Sequence, residues 1–234
     1  MRFNRIFLLL LCVTLCFCGC QKTNALPHAN DTKETGLLDE LIFLGDSTTA
    51  HMQQRAAVAP SQIWATRNRY YNLDSRVTYT KILLPGTGEE LTVAEAAARK
   101  KPPFLIITLG IDYGVYYYRN DLDKFRFYYE KLLDVIKEAS PNTVLVLQSI
   151  FPVARESATI TNEMIDRANE VIAAIAEERG LVYVDASTPL KDNAGSLKPS
   201  YCSSSDGIHL TAAAYDVVLK NLACYEPRIK EKRS

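Results

Sequence analysis

The sequence predicts an α/β fold of three layers, with helices on both faces of a parallel five-stranded sheet. Short apolar runs alternate along the chain with segments of helical period, and that alternation belongs to βαβ units rather than to a sandwich. The runs themselves are apolar at successive positions, as strands covered on both faces are. After the polar N-terminal stretch about 190 residues remain, enough for one domain around a single core.

Strands are expected over residues 41–44, 80–84, 104–109, 143–147 and 181–184. Between the third and fourth, Leu122, Phe125, Tyr129, Leu132 and Ile136 recur at spacings of three and four, which marks an amphipathic helix. Ile165, Ala168, Ile172 and Ile175 repeat the pattern before Gly180, a residue suited to a helix stop. A last helix begins near Thr211 and carries Tyr215, Val218, Leu219 and Leu222 on one face. The crossovers are expected to be right-handed. The domain is expected to run from 37 to 225, leaving 226–234 as a polar C-terminal tail.

The N-terminus reads as an export signal over residues 1–19, with Arg2 and Arg5 ahead of an apolar run from Ile6 to Cys18. That run is shorter than the roughly 20 residues a comfortable bilayer span requires. Phe17-Cys18-Gly19-Cys20 resembles the lipobox of bacterial lipoproteins, and the resemblance implies cleavage before Cys20 and diacylation of its thiol. The expectation is therefore an extracytoplasmic protein anchored by lipid to the bacterial cell membrane, with residues 20–36 as a flexible tether. Loss of residues 1–19 removes Arg2 and Arg5 and no acid, so the formal charge falls from 0 to −2. Nothing in that balance points to a nucleic-acid partner. Of the six cysteines only Cys202 and Cys224 then lie in the folded domain. Export permits a Cys202–Cys224 disulfide, with two buried thiols as the other reading; their spacing is not that of a metal site.

In open parallel sheets the crevice lies beyond the carboxyl ends of the strands. Three stretches occupy such places: Gly45-Asp46-Ser47, the loop from Gly110 to Gly114 that includes Asp112, and Asp206-Gly207-Ile208-His209. Ser47 reads either as a nucleophile or as a helix N-cap. A serine nucleophile needs a neighbouring base, and imidazole suits that task near neutral pH. The chain has three histidines; His28 falls in the tether, which leaves His51 and His209. His209 follows Asp206 by three residues, so one loop can present imidazole and carboxylate together. His51, four residues after Ser47, lacks an acid downstream to orient it and reads as a surface or cleft-lining residue.

Together the three stretches resemble the first, third and fifth blocks of the SGNH/GDSL hydrolases, in order, at strand ends and across nearly all of residues 40–223. The resemblance implies a flavodoxin-like sheet, Ser47 as nucleophile, His209 as base and Asp206 as its partner. It also implies ester or acetyl-ester hydrolysis through an acyl-enzyme, with no metal and no cofactor. Two features depart from the family pattern. The third block usually supplies an asparagine amide to the oxyanion, and here Asp112 stands in that place, followed by Tyr113 where the block usually ends on an acid. An ionised carboxylate cannot donate a hydrogen bond, and loss of one oxyanion donor costs about 100- to 1,000-fold in turnover. The other departure concerns the oxyanion glycine, for which Gly86 or Gly88, or else the side chain of Asn68, are the candidates beside the backbone N–H of Ser47.

Tyrosines cluster at Tyr70, Tyr71, Tyr113, Tyr116, Tyr117 and Tyr118, residue types that stack on sugars as well as pack loops. The expected function is a serine esterase acting on small esters, including O-acetyl groups of cell-envelope or environmental glycans. The alternative is a weakened or inactive member of the fold that binds glycans. The oligomeric state is not legible in the sequence.

Overall fold

A computed structural model of the chain describes residues 36–203 and 205–233. The expected signal, Cys20 and the tether as far as residue 35 lie outside the described residues. From Gly36 a single helical turn, α1 (Leu37–Glu40), enters strand β1 (Leu41–Gly45), and helix α2 (Ser47–Arg55) follows. Next come β2 (Ile63–Trp64), the pair β3 (Lys81–Leu83) and β4 (Glu90–Thr92), and helix α3 (Val93–Lys100). The remainder alternates regularly: β5 (Phe104–Thr108), α4 (Leu122–Ala139), β6 (Val144–Gln148), α5 (Asn162–Glu178), β7 (Val182–Val184), α6 (Ala212–Cys224) and α7 (Glu226–Glu231).

The central sheet has the order β2-β1-β5-β6-β7, and every neighbouring pair is parallel. Alternate residues of each strand serve opposite faces, because successive side chains point to opposite sides. Leu44, Trp64, Leu105, Ile107, Leu145 and Leu147 meet the apolar sides of α3, α4 and α5. Phe43, Ile63, Phe104, Ile106, Val146 and Val184 pack on the other face with residues of α2, α6 and α7. Three layers result, as the doubly apolar strands predict. After β1 the chain builds β2 on one flank and then returns to place β5 on the other, so the strand order reverses between β1 and β5. Ligands of open α/β sheets bind beyond the strand ends at such a reversal.

The segment 80–84 departs from expectation. Lys81–Leu83 leaves the parallel sheet and pairs antiparallel with Glu90–Thr92, since Gly86 and Gly88, at φ +77° and +74°, let the chain double back at once. The remaining sheet position goes to Ile63–Trp64, two residues that are each only 1 % exposed and too few to show a period. The stretch 226–234, expected as a polar tail, instead contains α7, whose Ile229 is fully buried.

Cys202 and Cys224 are not joined. Cys202 lies in a short bridge with Leu210, ahead of α6, whereas Cys224 closes that helix. At 1.5 Å per residue α6 spans about 18 Å, well beyond the roughly 7 Å between Cα atoms that a disulfide tolerates. Among the described residues no helix is long and apolar enough to cross a membrane.

Candidate active site

At the end of β1 the chain comes so close to β5 that only glycine fits. A Cβ on Gly45 would lie 2.2 Å from the carbonyl oxygen of Thr108 and 2.2 Å from Thr49 Oγ1. The next residue, Asp46, is the N-cap of α2, and its Oδ1 accepts from the Thr48 N–H at 3.3 Å and the Thr48 hydroxyl at 3.0 Å. Its Oδ2 accepts from the backbone N–H groups of Gly110 and Ile111, at 3.1 and 3.0 Å. One buried carboxyl thereby ties the turn after β1 to the turn after β5. Burial and the nearness of the Asp112 carboxyl raise the Asp46 pKa above the usual carboxylate range, against the hydrogen bonds from Thr48, Gly110 and Ile111, which lower it. Because Asp46 does the capping, Ser47 is the first helical residue and its hydroxyl serves elsewhere.

Ser47 Oγ lies 3.3 Å from His209 Nε2, and Nδ1 of the same imidazole lies 2.8 Å from Asp206 Oδ2. Asp206 Oδ1 accepts from the N–H groups of Ile208 and His209, so the acid holds both its loop and the ring. The loop is pinned from outside as well. The Ala154 N–H donates to the Gly207 carbonyl at 2.7 Å, and Gly207, at φ +80°, runs so close to Arg155 that a Cβ would meet Arg155 Cβ at 2.6 Å. On the far side the Ser203 N–H donates to the His209 carbonyl, and Arg55 of α2 donates to both Ser203 Oγ and the Leu210 carbonyl. The Tyr215 hydroxyl of α6 donates to the Thr48 carbonyl at 2.6 Å, which binds the helix behind His209 to the helix that carries Ser47.

Asp112 faces Ser47 from the loop after β5. Its Oδ2 accepts from the Ser47 N–H at 3.0 Å, and its Oδ1 lies 2.8 Å from Ser47 Oγ. Burial raises its pKa above the usual carboxylate range, against the two Ser47 hydrogen bonds and the nearby His209, which lower it. Of the residues considered for the oxyanion, Ser47 and Asp112 therefore meet. Gly86 does not join them, since it lies in the open turn of the β3–β4 hairpin. The Asn68 side chain lies in the loop that carries Arg69 to His51, and its Oδ1 accepts from the Thr66 hydroxyl and the Tyr70 N–H within that loop.

His51 belongs to the site, where the sequence showed only a cleft-lining residue. Its ring packs on that of His209, with centroids 4.2 Å apart and planes inclined at 37°, and Arg69 Nη1 lies 3.3 Å from its Nε2. Burial, then the cationic form of His209 and the guanidinium groups of Arg55 and Arg69, hold its pKa down at about 4. The available signal was its position one helical turn after Ser47. Among the described residues no group of three or more His, Cys, Asp or Glu side chains is placed to hold a metal ion.

The profile of the GDSL-like lipase/acylhydrolase family matches residues 43–217. No curated protein matches the chain. Among solved structures, the fold is similar to that of a GDSL-like lipase from Bacteroides thetaiotaomicron, with a TM-score of 0.55 at 16 % identity over 83 % of this chain and 89 % of the other. It is also similar to a carbohydrate esterase family 3 protein from Talaromyces cellulolyticus, with a TM-score of 0.52 at 15 % identity over 82 % of this chain and 98 % of the other. At such identities the likeness concerns the fold alone.

Proposed function

The chain belongs to the GDSL-like lipase/acylhydrolase family and is a serine hydrolase acting on ester bonds, and from that premise we propose that Ser47 is its nucleophile, His209 its general base and Asp206 the residue that orients His209. The observation that carries the assignment is a single imidazole engaged at both ends, 3.3 Å from Ser47 Oγ and 2.8 Å from the Asp206 carboxylate. Asp206 fixes the tautomer with hydrogen on Nδ1, which leaves Nε2 able to take a proton. In acylation the Ser47 Oγ–carbon bond forms, the Ser47 proton passes to Nε2, and the carbonyl π pair moves onto oxygen. The tetrahedral intermediate then expels the alcohol, which takes the proton from His209. Water repeats the sequence on the acyl-enzyme and releases the acid. The Ser47 N–H stands at the N-terminus of α2, where the helix field favours a developing oxyanion, and the substrate carbonyl would take it over from Asp112 Oδ2.

The substrate of this reading is a small acyl ester, an O-acetyl group on a glycan, met outside the cytoplasm by a protein held through lipid on Cys20. Ser47 is only 5 % exposed, which favours a short acyl group over a long chain. Tyr70 and Tyr117, 60 % and 55 % exposed, present rings on loops near the site. A cleft of about 520 Å³ adjoins the loop that carries Arg69 to His51, and Thr66, Asn68, Tyr70 and Asn72 line it with groups suited to sugar hydroxyls. The N-terminal sequence through Cys20 supports the location.

A chain-length series of chromogenic esters tests the reading. Turnover should be greatest for acetyl, fall with acyl length, and drop about 10⁴-fold or more in Ser47→Ala. Faster hydrolysis of long-chain than of acetyl esters would remove the small-acyl assignment, and full activity in Ser47→Ala would remove the nucleophile.

A further inference from the structure

Ser47 Oγ has one hydrogen and two acceptors within reach: Asp112 Oδ1 at 2.8 Å and His209 Nε2 at 3.3 Å. When Asp112 is ionised, the nearer and charged acceptor holds that hydrogen, since charge-assisted hydrogen bonds are the stronger ones. His209 is then left without the proton it must take. The second oxygen of the same carboxylate accepts the Ser47 N–H at 3.0 Å, the donor that the substrate carbonyl needs. A neutral Asp112 changes the count. Its own O–H can donate to Ser47 Oγ, so the Ser47 hydrogen is released toward Nε2 and both contacts are filled without competition.

We propose, on the reading of Ser47 as nucleophile, that Asp112 is a proton-controlled gate: neutral, it donates to Ser47 Oγ and turns the serine hydrogen to His209; ionised, it captures that hydrogen and the Ser47 amide and holds the centre at rest. The ionisable neighbours of Asp112 are Asp46 from the turn after β1 and His209 from the loop before α6, with His51 stacked behind His209 and Asp206 beyond it. Asp46 is the better anion of the two carboxyls. It accepts from three backbone N–H groups, which can only donate, whereas Asp112 accepts from one N–H and one reversible hydroxyl. A proton retained by the pair therefore resides on Asp112. Burial, which raises the pKa of Asp112, extends the neutral form above the ordinary carboxylate range. On further deprotonation the substrate would have to displace a charged carboxylate from the Ser47 amide.

The test is the pH profile of kcat and kcat/KM on an acetyl ester for the intact chain, for Asp112→Asn and for Asp112→Ala, with fluorophosphonate labelling of each. The wild-type rate should fall at high pH, and Asp112→Asn should lose that alkaline limb, exceeding wild type about tenfold or more above it and converging on it as the pH falls. Asp112→Ala should also lose the limb, at a lower plateau. Should Asp112→Asn fail to fold, the alkaline limb of the wild type against Asp112→Ala carries the same test. A ratio of variant to wild type that does not change with pH in either variant, or an Asp112→Asn slower than wild type at every pH, overturns the gate while labelling at Ser47 leaves the nucleophile standing. Absence of labelling and turnover in all three proteins overturns the nucleophile assignment and the gate with it.

Discussion

His51 shows how much a single ring can settle. A guanidinium only donates, so at 3.3 Å from Arg69 the His51 Nε2 is an acceptor and the hydrogen of the neutral ring sits on Nδ1. That Nδ1 is buried and has no hydrogen-bond partner among the described residues, a burden of about 1–3 kcal/mol. In return a neutral ring forms the wall against which His209 rests. His51→Phe should keep that wall and hold kcat within about threefold, whereas His51→Ala should let His209 turn and lower kcat about tenfold with little change in KM, since small misplacements of a catalytic group cost up to about 100-fold. Steady-state kinetics on the two variants decides it. Ser47, Asp206 and His209 were legible as a set because three strand-end stretches together resemble a known family's blocks, and the structure brings the three side chains into contact. His51 was not, because nothing near it in sequence says which loop will lie across from it. Gly86 misleads for the same reason.

Among the elements, the turn from β1 into α2 bears the greatest constraint. Gly45 touches β5 on one side and Thr49 on the other, and a methyl group there must push β1 away from β5 or displace the first turn of α2. Gly45→Ala is expected to destabilise the fold by about 1–3 kcal/mol and to reduce turnover even in the folded fraction. Denaturant unfolding together with rates corrected for folded protein would separate the two effects, and a variant as stable and active as wild type would refute the close approach. Strands β5, β6 and β7 and helices α4, α5 and α6 were readable because each carries a long or doubly apolar pattern. Strand β2 was not, since Ile63–Trp64 is recruited by its packing on β1 rather than by any period. The hairpin from Lys81 to Thr92 hid for another reason: its first strand resembles a sheet strand in composition, and only the Gly86 and Gly88 turn betrays the reversal.

For the molecule as a whole, the reversal of strand order between β1 and β5 brings the buried Asp46 and the half-buried Asp112 together beside Ser47. The folded pKa values of Asp46 and Asp112 are both raised. Between the unfolded carboxylate value near 4 and those raised values the native state binds more protons, so this pair makes stability fall as the pH rises through that window. His51 works in the opposite sense, because its folded pKa of about 4 lies below that of a free imidazole and stability is lost as the pH falls through that range. The difference between two proteins isolates the pair. Asp112→Asn should gain melting temperature over wild type progressively from pH 5 to pH 8, as it removes one buried charge and the repulsion felt by Asp46. A constant difference across that range would mean that the two carboxyls do not share their proton.

Rapid quenching of the chain during turnover of an acetyl ester, followed by peptide mass analysis, decides whether Ser47 becomes acylated with His209 as its base. One acetyl group is expected on the peptide containing Ser47, absent from Ser47→Ala and strongly reduced in His209→Ala. An acetyl group on another residue, or Ser47 acylation at an undiminished rate in His209→Ala, would contradict it.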